Sequence, residues 1–338
     1  MEARIHGGEA VNILIVGLGV IGSTYGYLFQ KAGHQTEHFF RENSSKAHIA
    51  ELKVELLDGR INSSGEWKRD TYSVHYAQPG KAYDFIFVSV PAGGIAAVLC
   101  ALNAQNIQGT LILACGIWDD RKKIEELMRG RDYVLGYPVA GGNIRDGVLS
   151  CCVFDHFMLE REEKAGIQSY RRLTELLHDC RIKPEIPYDM LEWIWLHMAI
   201  NAGVITVAGK YGDIHDTAAS AEKLMNSSKE LSEAVLSIRE TAKIIASRGV
   251  CLKNYRGELL PYRIPSKIAG VVMKKMFAGN LLTRKIMTLH SNPDDLLYVC
   301  KNVYVCGKQN TLSTPIFYKN CEALGLAGEE APAAKAAR

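Results

Sequence analysis

The sequence predicts two domains of different class: an α/β domain on a doubly wound parallel sheet over residues 1–187, then an all-α domain over 188–326. Three observations carry this reading. Short, continuously apolar runs alternate with helix-period stretches through the first half. A glycine-rich turn follows the first apolar run. Past residue 188 strand alternation stops, and two long stretches, 191–208 and 218–247, run without an internal proline. A chain of 338 residues with 47% apolar content is long enough for two cores.

Each element follows from local pattern. Residues 11–16 (VNILIV) read as a buried strand, 17–33 as a turn and a helix, and 36–40 as a second strand. Further strands are expected at 84–90 (DFIFVSV), 110–114 and 133–139, with helices at 94–102 and 120–129 between them. A last short strand at 181–186 places the domain boundary at Pro187. Residues 327–338 (AGEEAPAAKAAR) are of low complexity and are expected to be a disordered tail. No internal repeat is present.

Composition excludes several classes. A net charge of +3 leaves no concentrated basic face for nucleic acid. The pairs Lys274-Lys275 and Arg284-Lys285 read as a solvated helix face. The polar start and the short first apolar run are neither a signal peptide nor a membrane span. None of the nine cysteines has Cys-x-x-Cys spacing, so neither zinc nor a disulfide framework is indicated. These features fit a cytoplasmic protein with no metal and no membrane or nucleic-acid partner.

The strongest motif is G-L-G-V-I-G, with Gly17, Gly19 and Gly22 flanking Val20 and Ile21. It follows an apolar strand and opens a helix, the context of a Rossmann dinucleotide site. The first glycine allows the turn, the second lets backbone approach a pyrophosphate, and the third lets helix pack on strand. The second strand ends at Arg41, where NAD-specific enzymes usually carry an acid. A guanidinium there suits the 2′-phosphate of NADPH. The alternative is that Arg41 pairs with Glu42 at the surface.

With this fingerprint, Arg41, and a second half opening on Trp and Asn, the sequence resembles the ketopantoate reductase family over about residues 11–322. The resemblance implies a Rossmann domain followed by an all-helical domain like that of 6-phosphogluconate dehydrogenase. It implies NADPH-dependent reduction of a 2-oxo acid. It also implies that a helix reading W-x-K-x-x-x-N supplies the general acid and a substrate-holding Asn. Here that helix reads W-L-H-M-A-I-N from Trp195, so His197 stands at the Lys position and Asn201 at the Asn. Ile205 replaces a second Asn. His197 and Asn201 lie at i and i+4 on one helix face. A histidine ordinarily titrates near neutrality and can donate a proton there. The alternative is a core histidine among Trp193, Trp195 and Met198.

The family's substrate-binding Glu precedes a proline by about twenty residues, a count that reaches Asp295 from Pro315. A helix-capping role in N-P-D-D is the competing reading. Cys115 stands where the family places an Asn beside the nicotinamide, and Pro91-Ala92-Gly93 where it often has a Lys. Cys115 also reads as a small buried hydrophobe. Tyr137, Asn143 and Arg145 are expected past a strand at the C-terminal edge of the sheet, as replacement contacts.

Four altered polar positions imply a retained reaction on a substrate other than ketopantoate, because unpaired polar groups in a site discriminate strongly. An imine or amino-acid dehydrogenase and a non-catalytic NADPH-binding sensor are the alternatives. His290 is the second candidate for proton donor. The apolar helices of the second domain suggest a homodimer.

Overall fold

The computed structural model describes residues 9–40, 44, 46–91, 93–289 and 292–326. The chain divides into two compact units, Met1–Leu191 and Glu192–Arg338, which meet four residues past the expected boundary. Of the sequence expectations, Arg41, His290 and the 327–338 tail lie outside the described residues.

The first unit opens with β1 (Asn12–Val16), α1 (Val20–Lys31), β2 (Gln35–Phe39), β3 (Glu51–Asp58) and β4 (Glu66–Ser73). Then come β5 (Ala82–Val88), α2 (Ile95–Ala104), β6 (Gln108–Ala114) and α3 (Arg121–Met128). It closes with β7 (Tyr133–Arg145), β8 (Val148–Leu159), α4 (Glu162–Ala165), α5 (Tyr170–Asp179) and β9 (Lys183–Glu185). The strands form one sheet in the order β2-β1-β5-β6-β7-β8-β3-β4, with β9 beside β8.

From β2 to β7 all neighbours are parallel, as expected of buried, continuously apolar strands. The remainder adds antiparallel strands to the expected parallel sheet. β7 pairs antiparallel with β8, and β3 pairs antiparallel with β4, so the sheet is mixed. β7 continues six residues beyond the expected end and reverses through Asp146 and Gly147, at φ 49° and 73°. Positive φ at both central residues makes a two-residue hairpin turn, and D-G is its strongest sequence signal. β3 alternates Leu52, Val54 and Leu56 inward, whereas β4 (EWKRDTYS) is charged and mostly exposed, as edge strands often are.

One face of the sheet is covered by α1 and α5, which share a core. Tyr25 of α1 stacks on Phe87 at 5.2 Å between ring centroids and meets Phe157 edge-on at 5.6 Å. Leu173, Leu176 and Leu177 of α5 complete this layer.

The second unit is helical: α6 (Met190–Tyr211), α7 (Thr217–Asn226), α8 (Ser228–Ser247), α9 (Arg256–Leu259), α10 (Ser266–Gly279), α11 (Leu281–Thr288), α12 (Pro293–Gln309) and α13 (Pro315–Ala323). The proline-free stretch 218–247 forms two helices that meet at Ser227. The Ser227 hydroxyl accepts from the Glu230 N–H and so caps a new helix. By length and composition α6 passes for a membrane span, but 67% of its most apolar window is buried inside the protein. It runs antiparallel to α8. Arg248 lies over the Trp195 ring at one end, 3.9 Å from its centroid. At the other end Glu233 holds both Lys210 and the Tyr211 hydroxyl.

Candidate active site

In the first unit the chain leaves β1 through Gly17 at φ +77°, a conformation costly for any residue with a Cβ. The Gly17 N–H donates to the Phe39 carbonyl at 2.8 Å, tying the turn to the end of β2. Gly19 is the extended N-cap of α1, and a Cβ placed there would meet nothing within 4 Å. The first turn, beginning Val20-Ile21, has neither a capping side chain nor an acidic residue. Its free N–H groups and the helix dipole suit a phosphate anion. At Gly22 a Cβ would lie 2.7 Å from the Ile15 methyl, so α1 packs this closely on β1 only without a side chain. The residues present thus fit a dinucleotide pyrophosphate.

Beneath this loop lies a feature that sequence reading missed. His38 is buried in β2, with Nδ1 2.7 Å from the Gly17 carbonyl and Nε2 2.6 Å from the Tyr72 hydroxyl. The carbonyl can only accept, so Nδ1 donates to it. Nε2 then accepts from Tyr72, whose oxygen is 3.4 Å from the Thr36 hydroxyl. A neutral imidazole therefore props the first glycine of the loop. Burial lowers the His38 pKa to about 4, against the opposing pull of the Gly17 carbonyl. Between its ordinary 6.5 and that value the unfolded chain binds the extra proton and the folded chain does not. Stability is therefore full above this window and falls as pH drops through it, by about 3 kcal/mol for a fully realised shift. Urea unfolding between neutral pH and about pH 4 should show this slope, and His38→Gln, which does not titrate, should flatten it. An unchanged slope in the variant would assign the acid lability elsewhere.

Lys46, five residues past Arg41, reaches the glycine loop. Its ammonium donates to the Leu18 carbonyl at 3.0 Å. Glu37, next to His38 in β2, is engaged by Lys81 and by the Tyr83 hydroxyl.

Past β6, Cys115 is 6% exposed, and burial pushes its thiol up to about 12. It stays protonated at neutral pH, which excludes thiolate chemistry and fits the small-hydrophobe reading. Tyr137 lies inside β7, within the strand expected at 133–139, and Asn143 and Arg145 lie within β7 rather than past it, with Arg145 at the hairpin tip opposite Val148, because the D-G turn extends the strand. Arg145 is exposed there and Asn143 pairs with Ser150.

In the second unit, α6 carries His197 and Asn201 on one face, and both line a partly open cavity of about 470 Å³ between helices of this unit. The imidazole stacks on the Trp193 indole, with ring centroids 4.9 Å apart and planes within 11°. The stack covers one ring face and fixes the ring plane, and the in-plane nitrogens of His197 make their hydrogen bonds at the ring edge. Glu258, Tyr262 and Thr283 also line the cavity. Asp295 does not, although its neighbour Leu296 does. The Asp295 carboxylate accepts from the Asn292 side chain at 2.7 Å, and Asn292 caps α12. It takes part in the capping arrangement weighed against the substrate role.

A glycine loop at the C-terminal end of parallel strands, followed in the same chain by an all-helical unit, defines the class of two-unit dinucleotide-dependent dehydrogenases in architecture. Residues 13–117 match the family model for ketopantoate reductase PanE/ApbA. Among solved structures, the dimeric ketopantoate reductase from Staphylococcus aureus matches with a TM-score of 0.60 at 13% identity, over 94% of this chain and 98% of that one. D-mandelate dehydrogenase with NADH and anilino(oxo)acetate matches with a TM-score of 0.63 at 12% identity, over 93% and 97%. Yersinopine dehydrogenase matches with a TM-score of 0.61 at 12% identity, over 94% and 90%. No curated protein matches the sequence. The chain thus has the ketopantoate reductase fold, and in residues 13–117 it carries that family's sequence signature.

Proposed function

We propose that this protein is an NADPH-dependent reductase of a 2-oxo acid or related carbonyl compound other than ketopantoate, with His197 as proton donor. One observation carries the reading: His197 and Asn201 share a face of α6 and both line the cavity of the second unit. The bound cofactor supplies a hydride to the carbonyl carbon. Asn201 donates from its amide to the carbonyl oxygen and holds it. His197, as imidazolium, passes a proton from its ring edge to that oxygen as the C=O bond becomes an alcohol, and solvent then reprotonates the neutral ring. Trp193 keeps the ring plane in place throughout.

The test is NADPH oxidation against a panel of 2-oxo acids, ketones and imines. Ketopantoate should turn over at least about a hundredfold less efficiently than the best substrate. Saturable reduction of ketopantoate at micromolar concentration would restore the housekeeping activity, and no turnover on any member would favour a sensor.

Cofactor choice has its own check. NADPH should bind more tightly than NADH, and Arg41→Ala should weaken NADPH by about 1.5–3 kcal/mol while hardly moving NADH. Lys46→Ala, at the glycine loop, should weaken both cofactors by about 0.5–1.5 kcal/mol. Equal affinity of the wild type for NADH and NADPH would show that Arg41 does not read the phosphate. The active form would be a homodimer, as the Staphylococcus aureus enzyme is described to be. Seven exposed large apolar side chains between Leu260 and Leu281 support this, and sedimentation equilibrium tests it.

A further inference from the structure

The cavity is much longer than a small 2-oxo acid needs. Its lining follows one face of α6 from His197 through Asn201, Val204, Ile205 and Ala208 to Gly209. Twelve residues of helix advance about 18 Å. The His197–Asn201 pair spans only about 6 Å of that length. Beyond it the α6 wall is apolar, and Leu224, Phe277 and Met287 face it from α7, α10 and α11, while Asp213, Thr217 and Ser220 add polar groups to the lining past Gly209. Ile205 stands where the resemblance places a second asparagine, so a polar position has become part of the apolar wall. Met273, Met276 and Met287 add flexible side chains that adapt to variable shapes.

We infer that the substrate carries an elongated apolar chain next to its carbonyl group, with the carbonyl at His197 and Asn201 and the chain along α6 toward Ala208. This rests on the reductase reading for the position of the carbonyl, but the apolar channel stands on its own lining. A ligand that is mostly hydrocarbon gains from every methylene it buries here, whereas a short polar one leaves the far wall uncovered.

The test uses the full-length protein and straight-chain 2-oxo acids from 2-oxobutyrate to 2-oxododecanoate. kcat/KM for NADPH oxidation and the calorimetric Kd of each acid are measured together. Both should improve by about fourfold per added methylene until the channel is filled, then level off. Ala208→Phe should move the levelling point to shorter acids. Flat Kd and flat kcat/KM across the series, with measurable turnover, would overturn the inference and leave the reductase reading standing. Kd improving with length but no NADPH oxidation would support the channel and overturn the reductase reading. Flat Kd without turnover would overturn both.

Discussion

His197→Ala should lower kcat by about 10²–10⁴-fold, the usual worth of a general acid, and leave the NADPH dissociation constant unchanged. The split is the informative part. His197 belongs to the helical unit and the glycine loop to the other, so loss of the imidazole removes a proton donor without touching the phosphate contacts. Asn201→Ala should instead raise KM, with a smaller loss in kcat, because an amide that holds the carbonyl acts before and during the reaction. His197→Lys restores the residue of the ketopantoate reductases and should recover part of the rate on a 2-oxo acid. Part only is expected, since Ile205 and Cys115 still replace their polar partners. Near-normal kcat in His197→Ala would make the residue a structural partner of Trp193, and His290 would become the next donor to test.

Arg121→Met should destabilise the first unit by about 3 kcal/mol, the low end of the cost of leaving a buried charge unpaired. Glu160, at the end of β8, is fully buried. Arg121 at the start of α3 pairs with it, and the Leu135 N–H of β7 donates to its other oxygen at 3.1 Å. Burial works against the Arg121 charge, but Glu160 and the Tyr133 hydroxyl outweigh it and raise the guanidinium pKa. Removing the arginine strands the carboxylate, whereas Arg121→Met with Glu160→Gln removes the charge and keeps an acceptor for Leu135. The double variant should therefore recover most of the loss in urea unfolding followed by a first-unit signal. A single variant within about 0.5 kcal/mol of wild type would mean that solvent reaching the half-exposed arginine screens the pair.

Much of the site's first half was legible in the sequence. The glycine spacing is a backbone requirement, and Gly17 at positive φ and Gly22 against Ile15 show it in the structure. His197 and Asn201 were legible as one helix face, because i and i+4 placement follows from helix geometry alone. Asp295 followed from a residue count back from Pro315, and a residue count carries no information about direction. The structure turns it to Asn292 at the start of α12. His38 gave no signal at all, since a histidine in a strand reads the same whether it is solvated or supports a turn.

The order of an α/β unit and then a helical unit, the parallel strands β1, β2, β5 and β6, and the glycine loop were determined by the sequence by itself. Each depends on neighbours within a few residues: apolar continuity, helical period, and the φ a turn demands. The mixed edge of the sheet was decided by tertiary structure, although the Asp146-Gly147 hairpin signal was there to be read. β8 pairs with β3 across some ninety intervening residues, and the charged β4 is a strand only because β3 offers it hydrogen bonds. The same holds for Lys46 on the Leu18 carbonyl and for the apolar channel, whose walls come from helices spread between Trp193 and Leu296. Long-range contacts form where burial outweighs the entropy of closing the chain, and that balance is a property of the whole fold rather than of any local stretch.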